Sequence, residues 1–332
     1  MVKQRVLLLG ATGETGGSIL DGLLADPESF DVEALVRPAS ADKPQVQELI
    51  KRGVKIRAVD IGGPLDNVVK SLAGIDVLIS AIDPMGQLAQ LSLATAAKQA
   101  GVKRFVPCAF TTVAPPGGVM YIRDTKEEVY QLIRRLYLPY TIIDVGTWHQ
   151  FAFPTLPSGR IDYATLFPND EIDAEGTMPT MLIDLRDIGP FVARIIKDPR
   201  TLNKFVVTYS DVLSQNEIFG LMEEMSGEVI HRKYVSASEI IDSRARHHAT
   251  MKVEPDNLPA RFLFIKEDYI YSKYVRGDNT PAYAAYLGYL DASELYPDFQ
   301  PRTFKHFVTE LLDGKGVKPY PNLDVAAFYE GA

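Results

Sequence analysis

Seven residues near the start of the chain, Gly10-Ala-Thr-Gly13-Glu-Thr-Gly16, have the types and spacing to hold a phosphate. They follow the apolar run Val6-Leu7-Leu8-Leu9 and precede the helical pattern Ser18-Ile-Leu-Asp-Gly-Leu-Leu. An apolar strand that ends in Gly-x-x-Gly-x-x-Gly and enters a helix makes the phosphate-cradling turn of a dinucleotide-binding βαβ unit. Gly10 permits the tight turn, Gly13 lets backbone approach the pyrophosphate, and Gly16 lets the helix pack closely on the strand. The helix N-terminus offers unpaired N–H groups and a partial positive charge to the phosphates. Thr12 and Thr15 lie in the same turn and join the expected cofactor contacts.

The tip of the second strand decides which nucleotide fits. An Asp or Glu there bonds the ribose 2′-hydroxyl of NAD, whereas an Arg accommodates the 2′-phosphate of NADP. The strand Val32-Glu-Ala-Leu-Val36 ends in Arg37, with Lys43 a few residues beyond, and no carboxylate occupies the tip. Asp31 and Glu33 come too early in the strand for the ribose role. A guanidinium presents a planar fork to a phosphate, so the expected cofactor is NADPH/NADP.

These residues need a scaffold, and the pattern of the chain supplies one. Strand candidates at residues 5–9, 32–36, 55–59, 77–80, 104–107 and 140–145 alternate with helical patterns at 17–24, 46–52, 65–71, 88–100 and 125–137. That alternation predicts an α/β fold, a Rossmann-type doubly wound parallel sheet covered by helices on both faces. The ends of its fourth and fifth strands, at Ser80, Ala81, Pro107 and Phe110, would border the same cofactor. Residues 1–150 form the expected NADP-binding domain. Residues 151–332 form a smaller C-terminal α/β substrate region, whose chain can interleave with the first domain. Prolines and glycines make 151–181 a loop region by pattern, and Asp187 stands where it would cap the helix that follows. A further strand is expected at 204–209. Capping boxes are expected at Ser214-Gln-Asn-Glu217 and Ser236-Ala-Ser-Glu239, and the tail from Gly314 is expected to wrap the surface.

Composition narrows the partners. The 332 residues are 46% hydrophobic and 23% charged, with a net charge of −8, which argues against a nucleic-acid footprint. A single cysteine, Cys108, rules out an intramolecular disulfide and reads as a small buried hydrophobe. The first apolar run is too short for a signal-peptide core or a membrane span, so a cytoplasmic protein is expected.

Four segments resemble the atypical short-chain dehydrogenases of the isoflavone reductase and phenylcoumaran benzylic ether reductase group, which includes the NmrA-like proteins. They are the glycine turn, Leu35-Val-Arg37, Gly101-Val-Lys-Arg-Phe-Val-Pro107, and Lys126 followed by Pro139-Tyr-Thr141. The likeness continues through Asp198-Pro-Arg-Thr-Leu-Asn-Lys204, Leu213-Ser-Gln-Asn-Glu217 and Glu223 to Gly227. It covers residues 3–240, beyond which the chain looks more like fungal members. The resemblance implies that Lys126 is the catalytic side chain. Physically, hydride delivery to an electron-poor carbon leaves negative charge on a conjugated oxygen, and a lysine there can protonate or stabilise it. Burial would lower its pKa. The alternative is a solvated lysine paired with Asp124, Glu127 or Glu128. Conventional relatives use Tyr-x-x-x-Lys, but here Ile122 stands four before Lys126 and Tyr121 five before it. Tyr121 is therefore left as a candidate substrate contact from a loop.

Two departures from the family pattern bear on substrate. Pro-Ser-Glu-Phe is replaced by Pro107-Cys-Ala-Phe110, and the asparagine after the Pro-Tyr-Thr strand is replaced by Gly146. Trp148 and His149 follow that strand's carboxyl end and are candidate substrate residues, with Phe151 nearby. His247-His248 lack partners at metal-ligand spacing, and no metal is expected. The tyrosines from 269 to 296 fit core or subunit packing better than a pocket lining.

The expected function is an NADPH-dependent reductase that transfers hydride to a small aromatic or conjugated natural product of the enone or quinone-methide type. Lys126 would be its general acid/base, and secondary metabolism its setting. No nucleic acid or membrane is expected as a partner, and a homodimer is left open. Two alternatives stand beside this reading. One is a non-catalytic NmrA-like NAD(P)-binding redox sensor, and the other is an isomerase or cyclase on the same fold.

Overall fold

The computed structural model describes residues 3–323 and 325. Five strands form its main parallel sheet: β1 (Gln4–Leu9), β2 (Phe30–Val36), β3 (Lys55–Ala58), β4 (Val77–Ser80) and β5 (Arg104–Val106). Their order is β3-β2-β1-β4-β5. The run Val6-Leu7-Leu8-Leu9 is apolar throughout because β1 is central and covered on both faces. Alternate residues serve different layers. Val6 and Leu8 join one core, while Leu7 and Leu9 join the other.

The later strands are β6 (Thr141–Val145), β7 (Thr147–Trp148), β8 (Glu171–Asp173), β9 (Thr180–Ile183), β10 (Lys204–Thr208), β11 (Asp211–Leu213), β12 (Lys233–Val235) and β13 (Leu290–Asp291). A parallel bridge from Phe105 to Tyr140 carries the sheet from β5 towards β6, which pairs in parallel with β10, and β10 with β13. Strands from beyond residue 150 thus extend the first sheet. A small mixed sheet, β11-β9-β7, and a parallel pair, β8 with β12, lie beside it.

The helices are α1 (Glu14–Leu24), α2 (Pro44–Lys51), α3 (Leu65–Ser71), α4 (Gln90–Gln99), α5 (Tyr121–Arg135), α6 (His149–Ala152), α7 (Ile188–Lys197), α8 (Gln215–Ser226), α9 (Ala237–Val253), α10 (Leu258–Ile270), α11 (Pro281–Tyr286), α12 (Ala292–Leu295) and α13 (Phe304–Leu312). Helices α1 and α7 cover one face of the sheet, and α3, α4 and α5 cover the other. Glycines bring α1 and α7 nearly into backbone contact. A Cβ on Gly189 would lie 1.7 Å from the Ser18 carbonyl oxygen, and one on Gly22 would lie 2.2 Å from the Gly189 carbonyl carbon.

Several expectations change in detail. Helix α5 starts at Tyr121, four residues before the expected 125, so Tyr121 is its first residue and Lys126 sits in its second turn. The segment expected over 88–100 divides into a 3-10 stretch, Pro84–Ala89, and α4. The stretch 151–181 contains β8 and the start of β9. Asp187 does not cap α7. Its carboxylate instead accepts the Arg302 backbone N–H at 2.6 Å and pairs with the Arg302 guanidinium. Both capping boxes, at Ser214 and Ser236, form as expected. The tail returns across the surface as far as Leu323; residues 324 and 326–332 lie outside the described residues.

Candidate active site

The parallel strands bring the glycine turn after β1, Arg37 after β2, Ser80 and Ala81 at the end of β4, and Pro107 to Phe110 after β5 to one edge of the sheet. The three glycines of the turn have separate physical reasons. Gly10 adopts φ +88°, and a Cβ there would lie 2.2 Å from the Ala81 carbonyl oxygen. At Gly16 a Cβ would lie 1.9 Å from the Gly10 carbonyl oxygen, so close helix-to-turn packing demands glycine. Gly13, the N-cap of α1, is exposed, and its nearest neighbour to a Cβ would be Gly10 O at 3.5 Å. The fold itself does not require glycine there. No side chain caps α1, so its first N–H groups point outward beside Gly13 and the flanking Thr12 and Thr15.

At the tip of β2, Arg37 is exposed, and its guanidinium has no hydrogen bond or ion pair among the described residues. Lys43 is exposed at the start of α2. The two earlier carboxylates are already engaged. Glu33 is buried and pairs with Arg57 at 2.5 Å and Arg5 at 3.2 Å, and these partners hold its pKa below the usual range, Arg57 foremost. Asp31 pairs with Lys55. At the end of β4 the Ala81 N–H donates to Leu9 O at 2.8 Å, and the buried Ser80 hydroxyl has no hydrogen-bond partner.

Lys126 is buried, and its Nζ donates to the carbonyl oxygens of Cys108 at 2.8 Å and Ala109 at 2.7 Å. The carbonyls are presented by a tight reversal after β5. Ala109 N–H donates to Pro107 O, and Phe110 is held at φ +42°, a left-handed conformation costly for a bulky side chain. The solvated-lysine alternative does not describe this geometry. Glu127 is taken by Arg123 and Arg134, and Asp124 accepts the N–H groups of Gly117 and Gly118. Burial lowers the Lys126 pKa, partly opposed by Cys108 and the nearby Asp144. Because main-chain oxygens hold the ammonium, losing the family's serine and glutamate in this segment leaves the anchorage intact.

The second departure also has a structural cause. A Cβ on Gly146 would lie 2.7–2.9 Å from Leu182 backbone atoms, so an asparagine at that position would force the β9 backbone to shift. Trp148 stacks on Phe151, with centroids 5.0 Å apart and planes at 18°, and on Tyr320 at 6.2 Å and 20°. His149 is not brought to this edge. It is fully buried between Phe304 and Phe307, its Nε2 lies 3.1 Å from Ser210 Oγ, and Asp211 and Asp184 flank it at 3.6 and 4.0 Å. Tyr121 packs edge-on against Phe264 of α10, with its backbone N–H on Asp268. His248 pairs with that same buried Asp268, at 2.7 Å.

Two groups escaped sequence reasoning, and a third was read there only as packing. Tyr269 shares a 2.6 Å hydrogen bond with Thr111, just after the Lys126-binding reversal. Asp144, buried at the end of β6, accepts the Tyr289 hydroxyl at 2.5 Å, and burial pushes its pKa up. Tyr320 belongs to the returning C-terminal segment. The tyrosine-rich stretch signalled the first, but no local pattern marks the other two.

Taken together, the open cradle at Gly13, the unpaired Arg37 guanidinium and the unpartnered Ser80 hydroxyl fit a phosphorylated dinucleotide. No helix among the described residues is long and apolar enough to cross a membrane. No group of three or more metal-ligating side chains is found among the described residues.

Comparison with known proteins points the same way. The sequence pattern described as the NmrA-like family matches residues 2–308. Over 319 residues the chain is 42% identical to asnovolin J 5′,6′-dehydrogenase of Aspergillus novofumigatus, covering 93% of this chain and 95% of that protein. It is 26% identical over 320 residues to a phenylcoumaran benzylic ether reductase of Nicotiana tabacum, covering 92% and 98%. Among solved structures, the binary complex of leucoanthocyanidin reductase with NADPH from Vitis vinifera superposes with a TM-score of 0.77 over 93% of this chain and 99% of that one. Its 22% identity makes this a likeness of fold.

Proposed function

The chain belongs to the NmrA-like family, and we propose that it is an NADPH-dependent oxidoreductase acting on a small aromatic or conjugated natural product. The observation that carries this reading is the placement of Lys126. Its buried ammonium is held by the Cys108 and Ala109 carbonyls at the sheet edge that also carries the glycine turn. The α1 N-terminus and the turn from Gly10 to Gly16 would hold the pyrophosphate, and Arg37 with Lys43 the 2′-phosphate. Ser80, Ala81, Pro107 and Phe110 would border the nicotinamide. When bound, NADPH supplies a hydride at nicotinamide C4.

Lys126 then handles the proton. An ammonium has three N–H bonds, and two are committed to carbonyls, which leaves one for a substrate oxygen. In reduction, the negative charge that the hydride would leave on the conjugated oxygen would be met by a proton from Nζ. The lowered pKa makes that proton easier to give. A second reading runs the same balance in reverse: Lys126, as the neutral amine that its lowered pKa favours, would accept the proton, and bound NADP⁺ would supply the hydride acceptor. It is favoured by the relative named as a dehydrogenase at 42% identity.

One assay separates these readings. Wild type and Lys126→Ala are incubated with conjugated aromatic compounds plus NADPH, and with their saturated counterparts plus NADP⁺, while absorbance of the reduced cofactor is followed. The proposal expects turnover in one direction and a loss of about a hundredfold or more in the variant. Turnover undiminished in Lys126→Ala contradicts the assignment. Product formed without net change in NADPH points to an isomerase, and cofactor binding without any product points to a sensor.

A further inference from the structure

The C-terminal segment after α13 is pinned at both ends. At its root the Tyr163 hydroxyl donates to Leu311 O at 2.7 Å and accepts the Gly316 N–H at 2.9 Å. The passage is tight: a Cβ on Gly316 would meet Leu311 Cδ1 at 2.9 Å and Tyr163 Oη at 3.0 Å. At its tip the Tyr320 N–H donates to Glu14 Oε1 at 2.8 Å, and Glu14 follows directly on Gly13 of the glycine turn. Tyr320 itself is held at φ +49°. A left-handed aromatic residue is costly and persists where its surroundings force it, as at ligand clamps.

The ring of Tyr320 lies on Trp148, beyond the end of β6, and begins an aromatic row that continues through Phe151 to Phe167. Burial, with the charges of Glu14 and Asp83, pushes its phenol up to about 12, and Cys108 and Tyr269 add to the effect. These neighbours come from the glycine turn, the end of β4, the end of β5 and α10. The glycine turn and the ends of β4 and β5 are the segments that carry the proposed cofactor contacts.

We infer that residues 316–323 form a strap across the dinucleotide site, with Tyr320 as its cofactor-facing residue and the Glu14 carboxylate as its latch. The inference rests on the NADPH reading above. Cofactor bound beneath the strap leaves only after Tyr320 lifts from Trp148, so the strap sets the dissociation rate. The ring, more than the hydroxyl, does the covering.

Trp148 is the only tryptophan in the chain, so its emission reports both the stacking and the cofactor. NADPH dissociation is measured by stopped-flow displacement with excess NADP⁺ in wild type, Tyr320→Ala and Tyr320→Phe, following Trp148 emission. The strap predicts dissociation about tenfold faster in Tyr320→Ala and within about twofold of wild type in Tyr320→Phe. It also predicts altered Trp148 emission in cofactor-free Tyr320→Ala. If Tyr320→Ala binds NADPH and releases it at the wild-type rate, the strap is overturned while the NADPH reading stands. If wild type binds no NADPH, that reading fails and takes the strap with it.

Discussion

Replacing Gly13 by alanine should separate cofactor binding from folding, and its neighbours supply the contrast. The Gly13 backbone is ordinary extended chain, φ −89° and ψ 173°, open to any residue. The added methyl would meet only Gly10 O, at 3.5 Å, an ordinary contact distance. Stability should therefore change by no more than about 1 kcal/mol, a melting shift within about 2 °C for a chain of this size. Gly16→Ala forces a methyl to 1.9 Å from Gly10 O and should cost about 3 kcal/mol or more. Gly17→Ala meets nothing within 4 Å in the first turn of α1 and should be neutral or stabilising by up to about 1 kcal/mol.

Binding should follow a different order. On the proposed placement of the pyrophosphate, a methyl at Gly13 would stand in its way and lengthen its charge-assisted bonds to the α1 N–H groups, each worth about 1.5–3 kcal/mol. Losing about 3 kcal/mol in total is roughly a hundredfold in affinity. Thermal denaturation gives the stability side, and NADPH titration followed by Trp148 emission gives the binding side. Wild-type NADPH affinity in Gly13→Ala would refute the placement of the pyrophosphate. Wild-type stability in Gly16→Ala would refute the packing argument.

Lys126→Met should lose activity by about a hundredfold or more while binding NADPH within a few-fold of wild type. Because burial lowers the Lys126 pKa, reduction in the wild type should fall as pH rises through a limb below the free-lysine value, and Lys126→Met should lack that limb in kcat/KM. Lys273, lowered by burial to about 8, favours the folded state above its unfolded pKa, and that contribution is lost as pH falls through 8. Lys273→Met should therefore be more stable than wild type at pH 7 by about 1–2 kcal/mol, the two converging near pH 10. Asp173, raised by burial to about 6, has the opposite course. Its contribution is present below pH 4 and is lost as pH rises through 6, a change that Asp173→Asn should remove from the melting curve. Gly146→Asn, which restores the family residue, should lower stability by about 2–3 kcal/mol against the Leu182 backbone, read from the denaturation midpoint.

Local physics made some of this legible from sequence. The glycine turn is written in seven consecutive residues, and the apolar runs of β1, β2 and β4 announce strands buried on both faces. The capping boxes at Ser214 and Ser236 close within four residues, so pattern alone sufficed. What escaped was set by distant partners. The early start of α5 goes with Asp268, whose carboxylate accepts the Tyr121 N–H from 147 positions away. Asp187 is shaped like a cap, but Arg302 takes its carboxylate. His149 follows β6 as a substrate residue would, yet the chain turns it inward onto Ser210 and two phenylalanines. Lys126 was found through its motif, while the two carbonyls that hold it are invisible in side-chain identity. Tyr320 meets Glu14 across 306 positions, and nothing near it in sequence hints at the contact.

The most direct test of the central claim is the affinity of wild type and Arg37→Ala for NADPH and for NADH, read from Trp148 emission. Wild type should bind NADPH at least about tenfold tighter than NADH, or about 1.4 kcal/mol. Arg37→Ala should lose that preference while keeping its affinity for NADH. Equal affinities in wild type, or a preference that survives Arg37→Ala, would contradict the assignment of the sheet edge to an NADP site.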